Sequence, residues 1–157
     1  MSIIGSCRFQ LPNTLDSTAA TLDLSGATTI FNDTTISLSS GGIVFPGGLV
    51  ATYQIVISAQ VTKTAVIGLI SGFLPPASGT NYTVVDAFYS QSTTSGSSII
   101  NNPDPINSSG VQKNTLSFVI KVTGACTVPI QGATYYTSPA PITAGDLIIT
   151  TLAPDFV

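Results

Sequence analysis

Side chains that commonly perform catalysis or hold metal ions are scarce in this chain. Its 157 residues contain no histidine and no glutamate, so the seven acidic side chains are all aspartates. Without histidine, neither a Ser-His nor a Cys-His nucleophile can form, and the usual zinc and iron ligands are missing. Cys7 and Cys126 alone do not make a metal site. The sequence therefore predicts a protein that is not an enzyme and that uses no cofactor and no metal.

Three aspartates stand in surroundings that deserve a chemical interpretation. Asp33-Thr34-Thr35 has the start of an aspartic-protease motif but lacks the glycine that must follow the threonine, so we interpret Asp33 as a turn residue that accepts backbone N–H bonds. Asp104, between two prolines, is predicted to lie in a loop. Asp146 follows Gly145 and is predicted to end a turn, with a calcium ligand as the alternative because hard cations favour loop carboxylates.

Motifs for binding phosphate, nucleic acid or carbohydrate are equally few. Gly41-Gly42 and Gly47-Gly48 precede a strand rather than a helix, which argues against a phosphate loop. A net charge of −3 with only four basic residues argues against nucleic acid, whose binding needs clustered Lys and Arg. Tyr135-Tyr136 are candidates for a carbohydrate or partner surface, although packing on a strand face is the favoured interpretation.

The two cysteines leave three possibilities open. Cys7 and Cys126 could pair with each other, cross-link neighbouring subunits, or remain free thiols. We place Cys7 in a mobile amino-terminal segment, which makes it a candidate for an inter-subunit disulfide. The start MSIIGSCRFQ lacks the pattern of a secretory signal. We therefore expect synthesis in the cytosol, where free thiols are favoured.

The element that must organise these residues is a long predicted strand. Residues 41–61 read GGIVFPGGLVATYQIVISAQV, in which every odd position from Leu49 on is apolar and the even positions are mostly polar. A period of two is typical of a strand, because successive side chains leave opposite faces. We predict that Tyr53, Ile55 and Ile57 lie in the core and that Gln54 faces outward.

Further segments predict that the whole domain is built from strands. The stretch TLSFVIKVT alternates in the same way, with Ser117 and Lys121 outward, and YTVVDAFYS carries Asp86 outward or at a bulge. A buried strand is predicted from Ala65, where the longest apolar run has only six residues, too few for a membrane helix. Many short strands with turns between them predict an all-β fold, a single antiparallel β-sandwich of the jelly-roll type with eight or nine strands. The inward residues of TLSFVIKVT are predicted to be Leu116, Phe118, Ile120 and Val122.

The chain divides into an arm and one domain. Residues 1–20 are short, turn-rich and terminal, so we predict an amino-terminal arm that contributes more to assembly than to folding, although an edge strand over residues 6–11 is plausible. Residues 21–157 form the jelly-roll domain, with a long loop at 91–114 rich in Ser, Thr, Gly, Asn and Pro. A few residues are predicted to pin that loop to a partner: Ile99, Ile100, Asn101, Ile106 and Val111.

Two of these patterns resemble a known group of folds. The sequence IVFPGGLVATYQIVISAQV resembles the central strand of trimeric jelly rolls, the globular heads of the tumour-necrosis-factor and complement type. PITAGDLIITTL looks like their final strand and would be its partner. The same double Greek key builds viral capsid, penton and spike proteins. The resemblance covers roughly residues 30–152, with one departure, an aromatic residue that is delayed to Tyr53.

The leading hypothesis is a structural, self-assembling virion protein: an outer or minor capsid, penton, spike or decoration subunit. Charged residues are only 7% of the chain, against about 25% in a typical domain, which favours a surface buried against copies of itself and other structural proteins. It would be made in the host cytosol and would contact neither nucleic acid nor membrane. One alternative is an appendage or spore-surface fibre subunit on a cell or spore; another is a trimeric head that binds a receptor or glycan.

Overall fold

The computed structural model describes residues 5–12, 14–15, 20–63, 71–93, 96–100, 110–134 and 140–152. Within these ranges the chain forms fourteen strands and no helix, so no helix there could cross a membrane. The strands are β1 Ser6–Gln10, β2 Thr14–Leu15, β3 Ala20–Thr21, β4 Thr28–Asn32, β5 Ser37–Ser39, β6 Gly42–Phe45, β7 Ala51–Lys63, β8 Ser71–Leu74, β9 Tyr82–Thr93, β10 Gly96–Ile100, β11 Gly110–Val122, β12 Cys126–Val128, β13 Gln131–Thr134 and β14 Ala140–Leu152.

One large antiparallel sheet forms the first layer. Its strands lie in the order β10-β9-β11-β7-β14-β1-β4, and β2 pairs with the start of β14. The long strand β7 is central, with β11 on one side and β14 on the other. The predicted pairing of the two strands that carry the jelly-roll patterns, β7 and β14, is therefore confirmed.

Two small sheets form the second layer. One has the order β12-β6-β5 and the other β3-β13-β8. They are connected through the segment after β3, where the Leu22 amide donates to the Ile130 carbonyl at 2.7 Å and the Leu24 amide donates to the Ser39 carbonyl at 3.1 Å. The predicted all-β antiparallel sandwich is confirmed. The described strands exceed the predicted eight or nine because several are segments of two to five residues.

The core lies between the two layers. Tyr53, Ile55 and Ile57 are buried as predicted, and the ring of Tyr53 lies 4.8 Å from that of Phe45 on β6, which joins the layers. Burying such side chains stabilises the fold by about 1.5–3 kcal/mol each. A row of buried side chains crosses four neighbouring strands of the large sheet in register, Cys7, Ile149, Ile55 and Phe118.

The predicted amino-terminal arm is wrong for the part that the structure describes. β1 lies inside the large sheet, with β14 on one side and β4 on the other. Cys7, Phe9 and Leu11 are buried in the core cluster, and the Leu11 amide donates to the Gly145 carbonyl at 3.0 Å. The segment that follows β1 is rich in turn residues, which favoured an arm for the whole of residues 1–20. The residues of β1, by contrast, belong to the domain.

The predicted loop at 91–114 is also wrong over much of its length. β9 continues to Thr93, β10 pairs with it in a hairpin over residues 96–100, and β11 begins at Gly110. Ser and Thr form backbone ladders like any other residue, so a strand can lack a hydrophobic alternation. Residues 101–109, which include Asp104, lie outside the described residues, as do Tyr135-Tyr136 and residues 65–70 of the strand predicted from Ala65.

The predicted faces of β9 and β11 are confirmed with one exception. Lys121 is exposed, and Asp86 is exposed beside a bulge at Val85, where the register with β11 shifts. Ser117, predicted to face outward, points away from the core but is buried, because larger neighbours on adjacent strands shield its small side chain. The four residues of β11 predicted to face inward are all buried, Leu116, Phe118, Ile120 and Val122.

Candidate functional site

The face of the large sheet that points away from the core is the candidate functional site. On this face, one residue from each of six neighbouring strands, from β4 to β9, is paired with a residue of the next strand, so the six side chains lie side by side. We call these six residues the outer row: Phe31, Arg8, Ile148, Val56, Ser117 and Phe88.

The outer row is largely apolar and open to solvent. Phe88 is 52% exposed, Phe31 43% and Ile148 37%, while Val56 is half-buried between its neighbours. Exposed large apolar side chains are informative when they adjoin one another in this way, whereas scattered ones are normal on any protein surface. The row therefore marks an interaction surface.

Arg8, the charged member of the row, is neutralised locally. In its guanidinium group, Nε donates a hydrogen bond to Oδ1 of Asp146 at 3.1 Å, and Nη2 donates one to Oδ2 at 3.0 Å. This two-bond pair raises the pKa of Arg8, chiefly through the hydrogen bonds. Asp146 was predicted to end a turn, but it lies within β14 opposite Ser58. Its carboxylate binds Arg8, which disfavours the alternative of a calcium ligand.

The neighbouring positions on the outer face are mostly uncharged. One flanking row contains Thr150, Gln54, Val119 and Asp86, and the other contains Asp146, Ser58 and Thr115. A shallow depression of about 250 Å³ lies on the second flank, bordered by Ser58, Lys113, Thr115 and Asp146 among others. The outer face thus combines an apolar centre with a rim of hydroxyl, amide and a few charged groups.

A second depression, of about 420 Å³, lies at the turn that contains Asp33. The Oδ1 atom of Asn32 accepts hydrogen bonds from the Thr34 amide at 2.9 Å and from its hydroxyl at 2.7 Å, and the Asp33 amide donates to the Ser6 carbonyl at 3.0 Å. Asp33 is a turn residue as predicted, but the acceptor that closes the turn is Asn32. Across the ranges that the structure describes, no three acidic or cysteine side chains cluster to hold a metal ion.

The cysteines are free thiols. Cys7 is fully buried, and this burial raises the pKa of its thiol to about 11 despite a hydrogen bond with Thr34. Cys126 on β12 is partly exposed, and burial raises its pKa as well. The placement of Cys7 in a mobile segment is wrong, because its side chain belongs to the core, and this burial disfavours the alternative of an inter-subunit disulfide through Cys7.

The residues predicted to pin a partner-binding loop are separated by the structure. Ile99 and Ile100 are in β10, opposite Ser90 and Tyr89, and Val111 is in β11 opposite Thr62. The other two, Asn101 and Ile106, lie outside the described residues, so the predicted role of this set stays a prediction.

The outer row was not predicted from the sequence as a site. The signal for it exists in Val56, which interrupts the polar even positions of β7, and in Ile148, which lies between Asp146 and Thr150 on the same face of β14. Recognising the row requires the register of six strands, because its members are far apart along the chain. Neither a single strand nor a local motif reveals it.

With the fold and the outer face established, the chain is an antiparallel jelly-roll sandwich in which none of the described strands covers the outer face of the large sheet. Several solved structures are similar to it, among them the following two. The PRD1 vertex protein P5 has 14% sequence identity and a TM-score of 0.56, over 98% of this chain and 100% of that one. Murine APRIL has 7% identity and a TM-score of 0.39, over 94% and 98%.

The likeness to the vertex protein confirms, at the level of the fold, the jelly-roll resemblance inferred from two sequence patterns. The likeness to APRIL is too distant to add to it. No protein-family model and no curated protein matches the chain.

Proposed function

We propose that this protein is a structural subunit of a virus particle that assembles with copies of itself, as an outer or minor capsid, penton, spike or decoration protein. The observation that carries the proposal is the outer row, an apolar strip on a sheet face that the second layer leaves uncovered. The role is structural rather than enzymatic, and the place of action is the virion.

The size of the strip supports burial against another protein. Six strands about 4.8 Å apart span roughly 24 Å, and the outer row with half of each polar flanking row covers roughly 14 Å along the strands, or roughly 340 Å² in projection. This is the size of the largest apolar patch on a typical monomer, about 300–600 Å², and such patches are often functional. We therefore expect the face to be covered in the functional state.

The chemistry of the face favours a protein partner. Nucleic acid or an anionic surface would require clustered basic groups, but the one basic residue of the outer row, Arg8, is bound to Asp146. Interfaces between proteins have cores that are poor in charge and rich in aromatic residues, and Phe31 and Phe88 fit that composition. A second copy of this chain is the partner that the proposal names.

The structural comparison gives independent support. One similar solved structure, which spans nearly all of this chain, is a vertex protein of a virus. At 14% identity the likeness concerns the fold, so the role is inferred from the uncovered face together with that fold.

The test is native mass together with negative-stain images of the wild-type protein and of Ile148→Lys and Phe88→Lys. We expect defined oligomers or closed assemblies for the wild type, and smaller species for both variants because a buried ammonium without a partner is costly. Val50→Lys is the matched control, since Val50 is 61% exposed and precedes β7 outside the outer row. A wild-type protein that stays monomeric, or a control that behaves like the two variants, would overturn the proposal.

A further inference from the structure

The depression at the turn that contains Asp33 is a second candidate binding site. It lies at one end of the large sheet, where the turn after β4 meets the beginning of β7 and the end of β14. Its volume of about 420 Å³ falls within the range of about 300–1,000 Å³ that is usual for small-molecule sites. We call it the end pocket, and its described lining shares no residue with the outer row. It is bordered by Asn32, Asp33, Thr34, Thr35, Leu49, Tyr53 and Thr151.

One wall of the end pocket, residues 32–35, is fixed before a ligand arrives. The Thr34 hydroxyl, which donates to Asn32 Oδ1, also accepts a hydrogen bond from the Ile36 amide at 3.1 Å. Asn32 Nδ2 in turn donates to the Ile36 carbonyl at 2.8 Å. These bonds use the side chains of Asn32 and Thr34, and they leave the exposed Asp33 carboxylate and Thr35 hydroxyl available to a ligand. A wall that is already ordered loses little conformational freedom on binding.

The inner side of the end pocket combines an apolar surface with a fixed hydroxyl group. The Tyr53 ring is buried against Phe45, and its hydroxyl donates to the Leu49 carbonyl at 3.0 Å. Burial raises the pKa of Tyr53, so this hydroxyl stays protonated at neutral pH, and its oxygen can accept one further hydrogen bond. Leu49 is half-buried and supplies aliphatic surface beside it. This side of the pocket therefore suits a ligand with both C–H and O–H groups.

The charge of the end pocket narrows the class of ligand. Among the described residues that border it, Asp33 is the one charged side chain, and there is no basic group to attract an anion. A metal ion would need more ligands than this single carboxylate supplies. An apolar molecule would remove the hydroxyl and amide groups from water without replacing their hydrogen bonds. These observations together favour a neutral ligand that is rich in hydroxyl groups.

We propose that the end pocket binds a neutral monosaccharide ring. Two adjacent sugar hydroxyls would donate to the carboxylate of Asp33, a third would bond to the Thr35 hydroxyl, and the C–H face would pack against Leu49. This inference goes beyond the proposed function, because it gives the subunit a ligand as well as neighbours. Hydrogen bonds in an open pocket compete with water, so one site binds weakly, and copies arrayed on a particle would gain from multivalency.

Saturation-transfer difference NMR of the wild-type protein tests the proposal, with the methyl glycosides of glucose, galactose, mannose and N-acetylglucosamine as probes. We expect saturation transfer to at least one of the four, with a Kd in the millimolar range. Asp33→Asn should weaken this binding at least about tenfold, because it removes the ionised acceptor, and Thr35→Val about two- to tenfold through the loss of a neutral hydrogen bond. Far-UV circular dichroism establishes that each variant is folded.

Matched controls change the same residue types outside the end pocket. Asp86→Asn and Thr28→Val alter exposed residues of β9 and β4, and both should bind the sugar as the wild type does. Saturation transfer to none of the four probes would overturn the proposal, as would binding that Asp33→Asn and Thr35→Val leave unchanged. Ile148→Lys should also bind normally, so loss of assembly in that variant and loss of sugar binding in the pocket variants are separate results.

Discussion

Arg8 on β1 and Asp146 on β14 are held together by two hydrogen bonds of 3.1 and 3.0 Å across the outer face. Both side chains are partly open to solvent, 44% and 36% exposed, so the pair adds little to the stability of the subunit. Its effect is local neutrality, because it cancels the positive charge within an otherwise apolar row.

Asp146→Asn should therefore weaken self-association without changing the thermal midpoint of the subunit appreciably. An unpaired Arg8 on each copy introduces repulsion between charges of the same sign, and this repulsion is screened by salt. Sedimentation velocity should show the loss at 50 mM salt and its recovery near 0.5 M. The double variant Arg8→Gln/Asp146→Asn should associate like the wild type. A loss that persists at high salt would contradict this role.

Ile55→Ala should reduce the free energy of unfolding by about 2–5 kcal/mol, because it removes a fully buried side chain from the inward row and leaves a cavity. Its neighbour Gln54 is exposed on the outer face, so Gln54→Ala should change that free energy by no more than about 0.5 kcal/mol. Urea unfolding monitored by circular dichroism measures both. Equal losses would contradict the faces assigned to β7.

Phe9→Ala should destabilise the subunit by about 3–5 kcal/mol, because Phe9 is buried and β1 is an interior strand. Removal of residues 1–11 should abolish folding, since it separates β14 from β4 in the sheet. Thermal unfolding of the point variant and the solubility of the truncated chain measure these effects. A truncated chain that remains folded would restore the interpretation of this segment as an arm.

Gly42→Ala should cost more than Gly48→Ala, although both glycines have a positive φ, +125° and +94°. A Cβ at position 48 meets open space, so the cost there is the backbone strain alone, about 1–3 kcal/mol. A Cβ at position 42 would also collide with the Val128 carbonyl, which lies at the pairing of β6 with β12. Chemical denaturation of the two variants gives the difference, and equal costs would show that β12 can move away.

The free energy of unfolding should fall as pH rises from about 9 to about 11. An unfolded cysteine thiol ionises near its ordinary pKa of 9.0, whereas burial raises the pKa of Cys7 to about 11. Between these values the unfolded chain releases a proton that the folded one keeps, so ionisation favours unfolding; below pH 9 the effect disappears. Cys7→Ala should make the free energy of unfolding less dependent on pH in this range. Part of the dependence should persist in this variant, because the pKa values of Tyr53 and Tyr82 are raised as well.

Thiol labelling gives a direct check of the same burial. In a Cys126→Ser background at pH 8, Cys7 should react with a maleimide only as fast as the protein unfolds. Fast labelling of the folded protein, or a ladder on non-reducing gels that Cys7→Ser abolishes, would contradict the buried position.

The long amphipathic strands could be predicted from the sequence. The position in the sheet of the shorter or less regular strands could not. β7 and β11 alternate because one face is buried, so Tyr53, Ile55 and Phe118 follow directly from the period of two. β1 has the same alternation through Cys7 and Phe9, but it is short, and its place inside the sheet depends on pairing with residues far along the chain.

The hairpin of β9 and β10 was missed for a different reason. Its Ser- and Thr-rich strands carry no alternation, and backbone ladders are independent of side-chain type. The outer row was missed because it consists of residues from several strands. Ile148 and Val56 are each a single apolar residue on the outer side of a strand, and they form a surface only when the pairing of the strands brings them together. Such a site needs the sheet order, which single-sequence patterns do not contain.

The distance between Arg8 and Asp146 along the chain, 138 positions, has a consequence for synthesis on the ribosome. The pairing of β1 with β14 must wait until β14 has been synthesised, and contacts between such distant residues form slowly. Ile148 arrives on the same late strand, so a nascent chain does not yet have a complete outer row. If copies associate through the outer row as proposed, growing chains on one messenger RNA would lack a complete interface until β14 has been synthesised.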